Sequence, residues 1–272
     1  MTEQERNERI ARARKLIRFQ AEEYKTDQEM HRPQPPLVKP AVSASQIPLP
    51  KDFRSLPLQG DLLDLLLLRR SHRVFTEGDI DLLTLSFLLW SMQGVKKIRG
   101  KGYATLRTVP SGGGRHAFET YLYVRHVAGL APGLYHYLPM EHALELLSSL
   151  PEDPAPLERR ISESLCGQPW TLKASVLFFF SITPYRGEWR YGFDAHRVMM
   201  IDAGHVTENL YLAAAACSLG TCAIAAVDPA LASPLFGLDG EEEYIFYAAP
   251  VGTIKDSNES AEQAFYAFLE KD

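Results

Sequence analysis

The sequence predicts an α+β fold in which helices flank both faces of a mainly antiparallel central sheet. Three observations predict it. Residues 174–182 form a nearly all-apolar run, which is typical of a central strand covered on both faces. Residues 120–127 and 134–137 are strand-like runs joined by a turn at Ala131-Pro132-Gly133, which indicates a meander. Residues 194–219 form an Ala-rich segment with apolar residues at helical spacing, which indicates a long helix.

The chain begins with a polar arm that is expected to lie outside the core. Residues 3–30 have a helical composition with a weak apolar stripe. Seven prolines within residues 32–57 then disfavour regular structure, so this segment is expected to be extended. We therefore divide the chain into an arm, residues 1–57, and one main domain, residues 58–272.

The first half of the main domain is expected to carry two core helices and a loop. Residues 61–68 are dense in leucine, and residues 80–93 have apolar side chains at helical spacing. Gly94 is placed to close the second helix in a left-handed cap. A strand at 105–109 precedes a glycine-rich loop, and residues 143–147 are expected to continue the sheet.

The second half is expected to alternate helices and strands. Residues 155–165 and 260–270 have helical patterns, and residues 222–227 and 244–251 are strand-like. The long helix is expected to stop at Gly220. The side chains that it is expected to turn inward are Val198, Ile201, Val206, Leu210, Ala213 and Cys217.

Composition excludes several classes of protein. With a net charge of -5, the chain lacks the excess of positive charge that is usual in nucleic-acid binders. Its three cysteines show no CxxC spacing, which favours a reducing compartment over a disulfide framework. There is no apolar run of membrane-spanning length and no apolar signal core at the N-terminus, so we expect a cytoplasmic protein without membrane contact.

A basic turn follows the first leucine-dense helix. Arg69 and Arg73 lie four residues apart with Ser71 between them, so two guanidinium groups and a hydroxyl can converge on one anionic ligand. The same pattern also suits a solvated turn, because cations favour the negative end of a helix dipole. This segment alone leaves both interpretations open.

A second segment removes side chains from three successive positions. In Pro110-Ser111-Gly112-Gly113-Gly114, backbone donors can approach a flat ring closely, although a plain flexible turn has the same composition. The string Gly112, Gly114, Ala117 fits G-x-G-x-x-A. A strand-like run follows it, however, and not a crossover helix, so a dinucleotide site is disfavoured.

Two other chemistries are disfavoured by their surroundings. Asp202, His205 and Glu208 share a helix at spacings of three, but no second cluster completes a set of metal ligands, so we expect no metal. Ser111, His116 and Asp202 lack the G-x-S-x-G turn that would present a serine nucleophile.

Arg190 and Tyr191 precede the long helix in a polar, aromatic stretch, residues 185–193. A tyrosine there can donate or relay a proton while the neighbouring cation lowers its cost of ionising. The pair is our candidate for catalysis. An exposed lead-in to the helix is the alternative.

Taken together and in this order, the segments resemble the nitroreductase family from about residue 65 to residue 251, and most closely its SagB-type dehydrogenase branch. The three glycines and Leu134-Tyr135-His136-Tyr137 carry the likeness to that branch. The resemblance implies a nitroreductase-like fold, bound FMN, and a homodimer with exchanged C-terminal segments. The residues that it implies for FMN are Arg69, Ser71 and Arg73, with Pro110, Ser111 and Gly112 reaching over from the partner subunit.

The resemblance implies four further FMN contacts. Backbone donors at Ala225 and Ala226 are expected to meet the flavin ring, and Gln168 stands where a polar side chain often meets it. Thr253 occupies the position of the usual phosphate contact, which leaves Lys255 as its substitute. A fixed cation such as Arg73 would stabilise the negative charge that reduction places on the N1/C2 edge of the ring.

The function expected from the resemblance is an FMN-dependent oxidoreductase that transfers hydride between the flavin and an organic substrate. Members of the SagB-type branch oxidise azolines in peptides to azoles, so the expected substrate is a peptide or natural-product intermediate. Their cleft is associated with a Lys-Tyr pair, where this chain has Arg190-Tyr191. The alternatives are an NAD(P)H-dependent reductase of nitro compounds or quinones, and a flavin-less scaffold subunit whose arm docks a partner.

Overall fold

The computed structural model describes residues 2–17, 25–255 and 259–267 of the chain. Seven strands form one sheet in the order β1-β8-β7-β5-β9-β11-β10, and every neighbouring pair in it is antiparallel. The strands are β1 Gln46–Pro48, β2 Ile80–Asp81, β3 Val95–Arg99, β4 Ala104–Arg107, β5 Phe118–Val124, β6 Val127–Ala128, β7 Gly133–Leu138, β8 Ala143–Ser149, β9 Val176–Ile182, β10 Leu219–Thr221 and β11 Tyr244–Thr253. The helices are α1 Glu3–Ile17, α2 Leu62–Leu68, α3 Leu82–Gln93, α4 Ala155–Ser164, α5 Pro184–Tyr191, α6 Ala195–Ala216, α7 Pro229–Ala232 and α8 Glu259–Tyr266.

Strand β9 is the centre of the core, as its apolar run predicts. Phe178 pairs with Leu122 of β5 on one side and with Ala249 of β11 on the other, and all three are buried. Because side chains alternate along a strand, Phe178 and its alternate neighbours pack with α3 and α6, while Phe179 packs with α4 and α7 on the opposite face. The α+β fold with helices on both faces of the sheet is confirmed.

The proline-rich segment is extended and is tied to the main domain by buried carboxylates. Residues 32–45 contain no helix or strand, as predicted. The backbone N–H of Lys39 donates to Glu119 at 2.7 Å, and that of Val42 donates to Glu145 at 2.8 Å. The segment then adds β1 to the edge of the sheet beside β8, a short strand that the prolines did not predict. The division at residue 57 stays a prediction.

The first leucine-dense helix is not a core helix. Asp61 caps α2 through the N–H groups of Leu63 and Asp64, but within this subunit most of its leucines face outward. The most exposed are Leu63 at 65% and Leu67 at 75%. The expectation that α2 lies in the core is therefore wrong, because leucine density predicts a helix without saying what covers it.

Several helix boundaries also differ from expectation. Gly94 follows α3 with a φ of -57°, not a left-handed one, and glycine is required because a Cβ would lie 2.5 Å from the carbonyl oxygen of Trp90. Helix α6 ends at Ala216, and Gly220 lies within β10. Ile201 points outward from α6, with 56% of its side chain exposed.

Three other segments depart from the prediction. Residues 25–31 form turns and not helix, and the rest of the predicted arm helix, residues 18–24, lies outside the described part of the chain. Residues 222–227 form no strand, although Ile224 makes one bridge to Ala248. Strand β3 adds an unpredicted hairpin with β4. Across the described residues, we find no helix with the length and apolar character that crossing a membrane requires.

Candidate active site

A cationic cleft of about 340 Å³ opens between the end of α2, the second half of α6 and β10. Arg69, Arg70 and Lys255 line it, together with the side chains of His72 and Tyr211. Three cations thus share one opening on a chain whose net charge is -5. The cleft has the volume and the polarity of a small-molecule site for an anionic ligand.

Backbone pairing fixes the basic turn along one wall of the cleft. After α2 ends at Leu68, Ser71 bridges Thr221 in parallel, and the N–H of His72 donates to the Thr221 carbonyl at 2.9 Å. Gly220 permits this approach, because a Cβ there would lie 2.7 Å from the Cβ of His72. The turn is therefore held beside β10 by a single β-bridge, which places Arg69 and Arg70 at the opening.

Tyr211 of α6 links the three segments that surround the cleft. Its hydroxyl makes a hydrogen bond of 2.9 Å with the Ser71 hydroxyl and accepts one of 2.8 Å from the N–H of Ala223. The guanidinium of Arg69 lies over its ring, 5.3 Å from the centroid, a cation–π distance. Sequence reasoning missed this residue, since it stands 140 positions from Ser71 and belongs to no local motif.

His72 is a buried imidazole at the wall of the cleft. Its Nδ1 has no hydrogen-bond partner among the described residues and lies 4.0 Å from a carboxylate oxygen of Glu262. Burial, and then the charge of Arg70, lower its pKa, so the ring is neutral at pH 7. An unpartnered polar atom of this kind fits a site that receives a hydrogen-bonding ligand.

Arg73 faces away from the cleft that Arg69 lines. Its guanidinium contacts the Tyr266 hydroxyl and lies over that ring, 5.2 Å from the centroid. Its backbone N–H donates to Glu262 at 2.6 Å. Helix α8 therefore holds Arg73, while Arg69 and Ser71 meet at Tyr211. The implied exchange of C-terminal segments between subunits stays a prediction.

The glycine-rich loop is anchored to the first half of α6. The N–H of Gly112 donates to both carboxylate oxygens of Asp202, at 3.1 and 3.2 Å, and the N–H of His116 donates to the Ser111 hydroxyl at 2.9 Å. Burial raises the pKa of Asp202. Gly113 has a left-handed φ of 59°, which favours glycine. Asp202 thus anchors the loop. His205 lies 4.0 Å from it, and no cluster of three or more His, Cys, Asp or Glu side chains suited to a metal is found among the described residues.

Arg190 and Tyr191 lie directly against this loop. A Cβ on Gly113 would be 2.6 Å from Nε of Arg190 and 2.7 Å from the Tyr191 hydroxyl. The Arg190 guanidinium donates to the Tyr103 hydroxyl, while its Nε–H is buried and has no hydrogen-bond acceptor within the described residues. The structure therefore joins the candidate catalytic pair to the loop that sequence reasoning assigned to the cofactor.

The cleft and the loop are two separate clusters within one subunit. Asp202 anchors the loop and Tyr211 lines the cleft, nine positions apart on α6. At a rise of 1.5 Å per residue, this spacing corresponds to about 13 Å along the helix. The described chain therefore holds the basic turn and the glycine-rich loop at separate places along α6.

The remaining predicted residues lie at or beyond the margins of the cleft. Lys255 lines it, while Ala225 and Ala226 are exposed just beyond the Ile224 bridge. Gln168 donates to the Leu165 carbonyl at 2.9 Å, which turns its side chain back onto the end of α4. Sequence reasoning passed over Arg70 and His72 as ligands, although both stand in the same basic string as Arg69.

Comparison with known proteins identifies the family. Residues 66–253 match the model of the nitroreductase family. "Putative nitroreductase MJ1384" of Methanocaldococcus jannaschii is 31% identical over 190 residues, covering 66% of this chain and 84% of that protein. The trifolitoxin-processing protein TfxB of Rhizobium leguminosarum bv. trifolii is 30% identical over 144 residues, covering 51% of this chain but only 37% of that protein.

Among solved structures, a chain of the Escherichia coli microcin synthetase McbBCD complex with truncated pro-MccB17 matches with a TM-score of 0.59. It is 18% identical, and the match covers 88% of this chain and 86% of that one. At this level of identity the match shows the fold alone. The family match over most of the chain shows more: the chain belongs to the nitroreductase family.

Proposed function

We propose that the chain is an FMN-dependent oxidoreductase, and that it acts as a SagB-type dehydrogenase on a peptide or natural-product intermediate. The observation that carries the proposal is the cationic cleft. It gathers Arg69, Arg70 and Lys255 around Tyr211, on the segments that resemble the flavin site of the family. Fixed cations suit the phosphate of FMN, and an aromatic and backbone wall suits its ring.

The residues present fit this cofactor. Arg69 and Lys255 supply charge for the phosphate, and His72 lines the same cleft. The exposed backbone of Ala225 and Ala226 stands next to the cleft segment, open to a ring edge. For Arg73 and Gln168 the same role requires a change, since Arg73 must leave Tyr266 and Gln168 must leave Leu165.

FMN, when bound, supplies the acceptor or donor of hydride. The protein contributes position and charge. Tyr211 holds Ser71 and the Ala223 N–H in register, so that the basic turn and the Ala225 segment face the ligand from fixed positions. Tyr191 places a hydroxyl at the surface of the glycine loop, where it can hold or relay the proton that leaves the substrate when hydride is removed. Arg190 lies 5.4 Å from the Tyr191 ring and stabilises negative charge there.

The proposed site is completed by a second copy of the chain. The loop and the cleft are about 13 Å apart along α6, so a loop from the partner subunit is needed to close the cleft. Exposed apolar side chains mark the surface for that contact. They are Leu63 and Leu67 on α2, and Met200 and Ile201 on α6. Exposed apolar side chains on helices are typical of a subunit interface.

Two relatives favour a biosynthetic substrate. TfxB is named as a trifolitoxin-processing protein, and the microcin synthetase complex, which shares the fold, is named with truncated pro-MccB17 bound, so a peptide is the substrate that we propose. The rival function is an NAD(P)H-dependent reductase of nitro compounds or quinones. The name and the 31% identity of the Methanocaldococcus jannaschii relative favour that rival.

The first test is the visible absorption spectrum of the purified protein, with identification of any chromophore released on denaturation. We expect FMN at about one per subunit, either on purification or after titration. Loss of the visible flavin absorption on addition of a thiazoline-containing peptide, but not of NADH or NADPH, supports the dehydrogenase. Bleaching by the nicotinamides alone supports the rival. A colourless protein that does not take up added FMN overturns both and favours the scaffold.

A further inference from the structure

The hairpin of β3 and β4 concentrates positive charge on one exposed feature of an acidic protein. Residues 82–118 include six Lys and Arg residues, while all 34 Asp and Glu residues of the chain lie outside this stretch. Two of the six are buried, Arg107 and Arg115. The other four are exposed on β3 and on the turn that follows it: Lys96, Lys97, Arg99 and Lys101.

These four cations have no partner of opposite charge in the described protein. None of them takes part in an ion pair with another described residue. The segments packed against the hairpin contribute neutral amides, since Gln28 donates to the Tyr103 hydroxyl and Gln34 donates to the Gly102 carbonyl. An uncompensated cluster of this size attracts an acidic ligand.

A groove leads from this cluster to the candidate catalytic loop. It has a volume of about 610 Å³, begins at Lys96 and Arg99, and follows β4 to Ser111 and Gly113. At its inner end lies the loop that contacts Arg190 and Tyr191. A chain bound along the groove would therefore reach from the charged hairpin to the proposed site of chemistry.

The hairpin also offers an open strand edge. Among the described residues, β3 pairs only with β4, so its outer backbone groups remain available to an extended segment. Ile98, with 44% of its side chain exposed, gives that edge an apolar contact between the cations. Backbone pairing, an apolar contact and uncompensated positive charge are what an extended acidic peptide recognises.

We propose that the β3–β4 hairpin binds an acidic segment of the peptide substrate and delivers the adjoining residues along the groove to the Gly112-Gly113-Gly114 loop. This inference rests on the proposed function for its substrate class. A nucleic acid is the competing occupant. It fits less well, because the cluster holds only four exposed cations and Tyr103 is the only Phe, Tyr or Trp among the residues that line the groove.

The test measures binding of fluorescein-labelled peptides to the full chain by anisotropy. The probes are a peptide of four Glu-Gly-Ser repeats, the same peptide with Gln for Glu, and a short oligothymidylate of equal charge. We expect the Glu peptide to bind about tenfold or more tightly than the Gln peptide, with an affinity that falls as salt rises. Equal or tighter binding of the oligothymidylate would overturn the assignment to a peptide.

Two charge-neutralised variants locate the surface. The hairpin variant combines Lys96→Gln, Lys97→Gln, Arg99→Gln and Lys101→Gln. Its matched control neutralises four other exposed cations: Lys51→Gln, Arg54→Gln, Arg159→Gln and Arg160→Gln. We expect the hairpin variant to lose about tenfold in affinity for the Glu peptide and the control to lose less than twofold. Equal losses in both variants, or none in the hairpin variant, would refute the proposal.

FMN occupancy, measured on the same preparations, separates the two proposals. A chain that binds FMN but shows no preference for the Glu peptide refutes the docking surface and leaves the oxidoreductase standing. A chain that binds the Glu peptide through the hairpin but takes up no FMN refutes the oxidoreductase and retains the docking surface. The hairpin variant is expected to keep the FMN affinity of the wild type, because none of its four substitutions lines the cationic cleft.

Discussion

Removing one hydroxyl from Tyr211 tests whether this residue organises the cofactor cleft. Tyr211→Phe keeps the ring under Arg69 but removes the acceptor of the Ala223 N–H and the partner of the Ser71 hydroxyl. A partly buried N–H that loses its acceptor costs about 1–3 kcal/mol. We therefore expect the free energy of unfolding to fall by about 1–3 kcal/mol. We also expect the Kd for FMN to rise by about tenfold, because the two walls of the cleft lose their common anchor.

Urea denaturation measures the first effect, and titration of flavin fluorescence measures the second. Tyr185→Phe is the matched control. The Tyr185 hydroxyl donates at 2.8 Å to Asp27 on the surface, and neither residue lines the cationic cleft. It is expected to cost about 0.5 kcal/mol or less and to leave FMN binding unchanged. If Tyr211→Phe binds FMN like the wild type and is no less stable than Tyr185→Phe, the reasoning that makes Tyr211 the organising residue is refuted.

Three further substitutions have defined outcomes. Arg69→Ala should raise the Kd for FMN by about 10- to 150-fold in fluorescence titrations, since a charge-assisted hydrogen bond contributes about 1.5–3 kcal/mol, and Arg69→Lys should raise it less. Glu119→Gln should lower the free energy of unfolding by about 3–5 kcal/mol at pH 7 in urea titrations, because it removes the charge partner that the buried Arg186 has at 2.7 Å. Burial raises the pKa of Glu119, but the charge of the neighbouring Arg186 outweighs burial and lowers this pKa to about 2 from its ordinary 4.5. The ionised Glu119 therefore stabilises the fold fully above pH 4.5, and this contribution is lost as the pH falls from 4.5 to 2. Unfolding curves over that range should therefore show a flatter pH dependence for the variant. Gly113→Ala should lower the free energy of unfolding by about 1–2 kcal/mol, because Gly113 has a left-handed φ, and it should also lower turnover. Gly60→Ala, with open space around the added methyl group, should change neither stability nor turnover.

The sheet was predictable because its strongest signal is local. The run around Phe178 is apolar at consecutive positions, and such a run has few explanations other than a strand buried on both faces. The same reasoning failed for α2, since Leu63 and Leu67 predict a helix but do not say which surface will cover them. It failed differently at Gly94, where the close approach of Trp90, and not a left-handed backbone, requires glycine.

The candidate site was predictable only where its residues are neighbours in the sequence. Arg69 and Ser71 stand in one short string, so their spacing allowed a shared anionic ligand as well as a solvated turn. Tyr211 joins them through a tertiary contact across 140 positions, and no spacing rule identifies such a partner. The turn of Arg73 toward Tyr266 was hidden for the same reason, because α8 reaches it from the far end of the chain.

The separation of the two clusters leads to the last prediction. If the cleft of one subunit is completed by the loop of its partner, each catalytic site takes Arg69 from one chain and Arg190 from the other. A subunit with Arg69→Ala then has a defective cleft and an intact loop, and a subunit with Arg190→Ala has the reverse. In a dimer of one of each, one site receives both defects, and the other receives an intact cleft and an intact loop.

The two variants are mixed in equal amounts after reversible dissociation and assayed at an FMN concentration that fills the wild-type cleft but not the Arg69→Ala cleft. The mixture should then restore about a quarter of wild-type turnover, because half of the randomly formed dimers carry one intact site of two. The controls are the two variants unmixed and a mixture refolded with excess Arg69→Ala subunits. The second control should restore less turnover, in proportion to its smaller fraction of mixed dimers. If each site is built within one subunit, no dimer in the mixture holds an intact site and no turnover returns. Complementation is thus the outcome that only a shared site can produce, and its absence in a mixture shown to contain mixed dimers would refute the site shared between subunits.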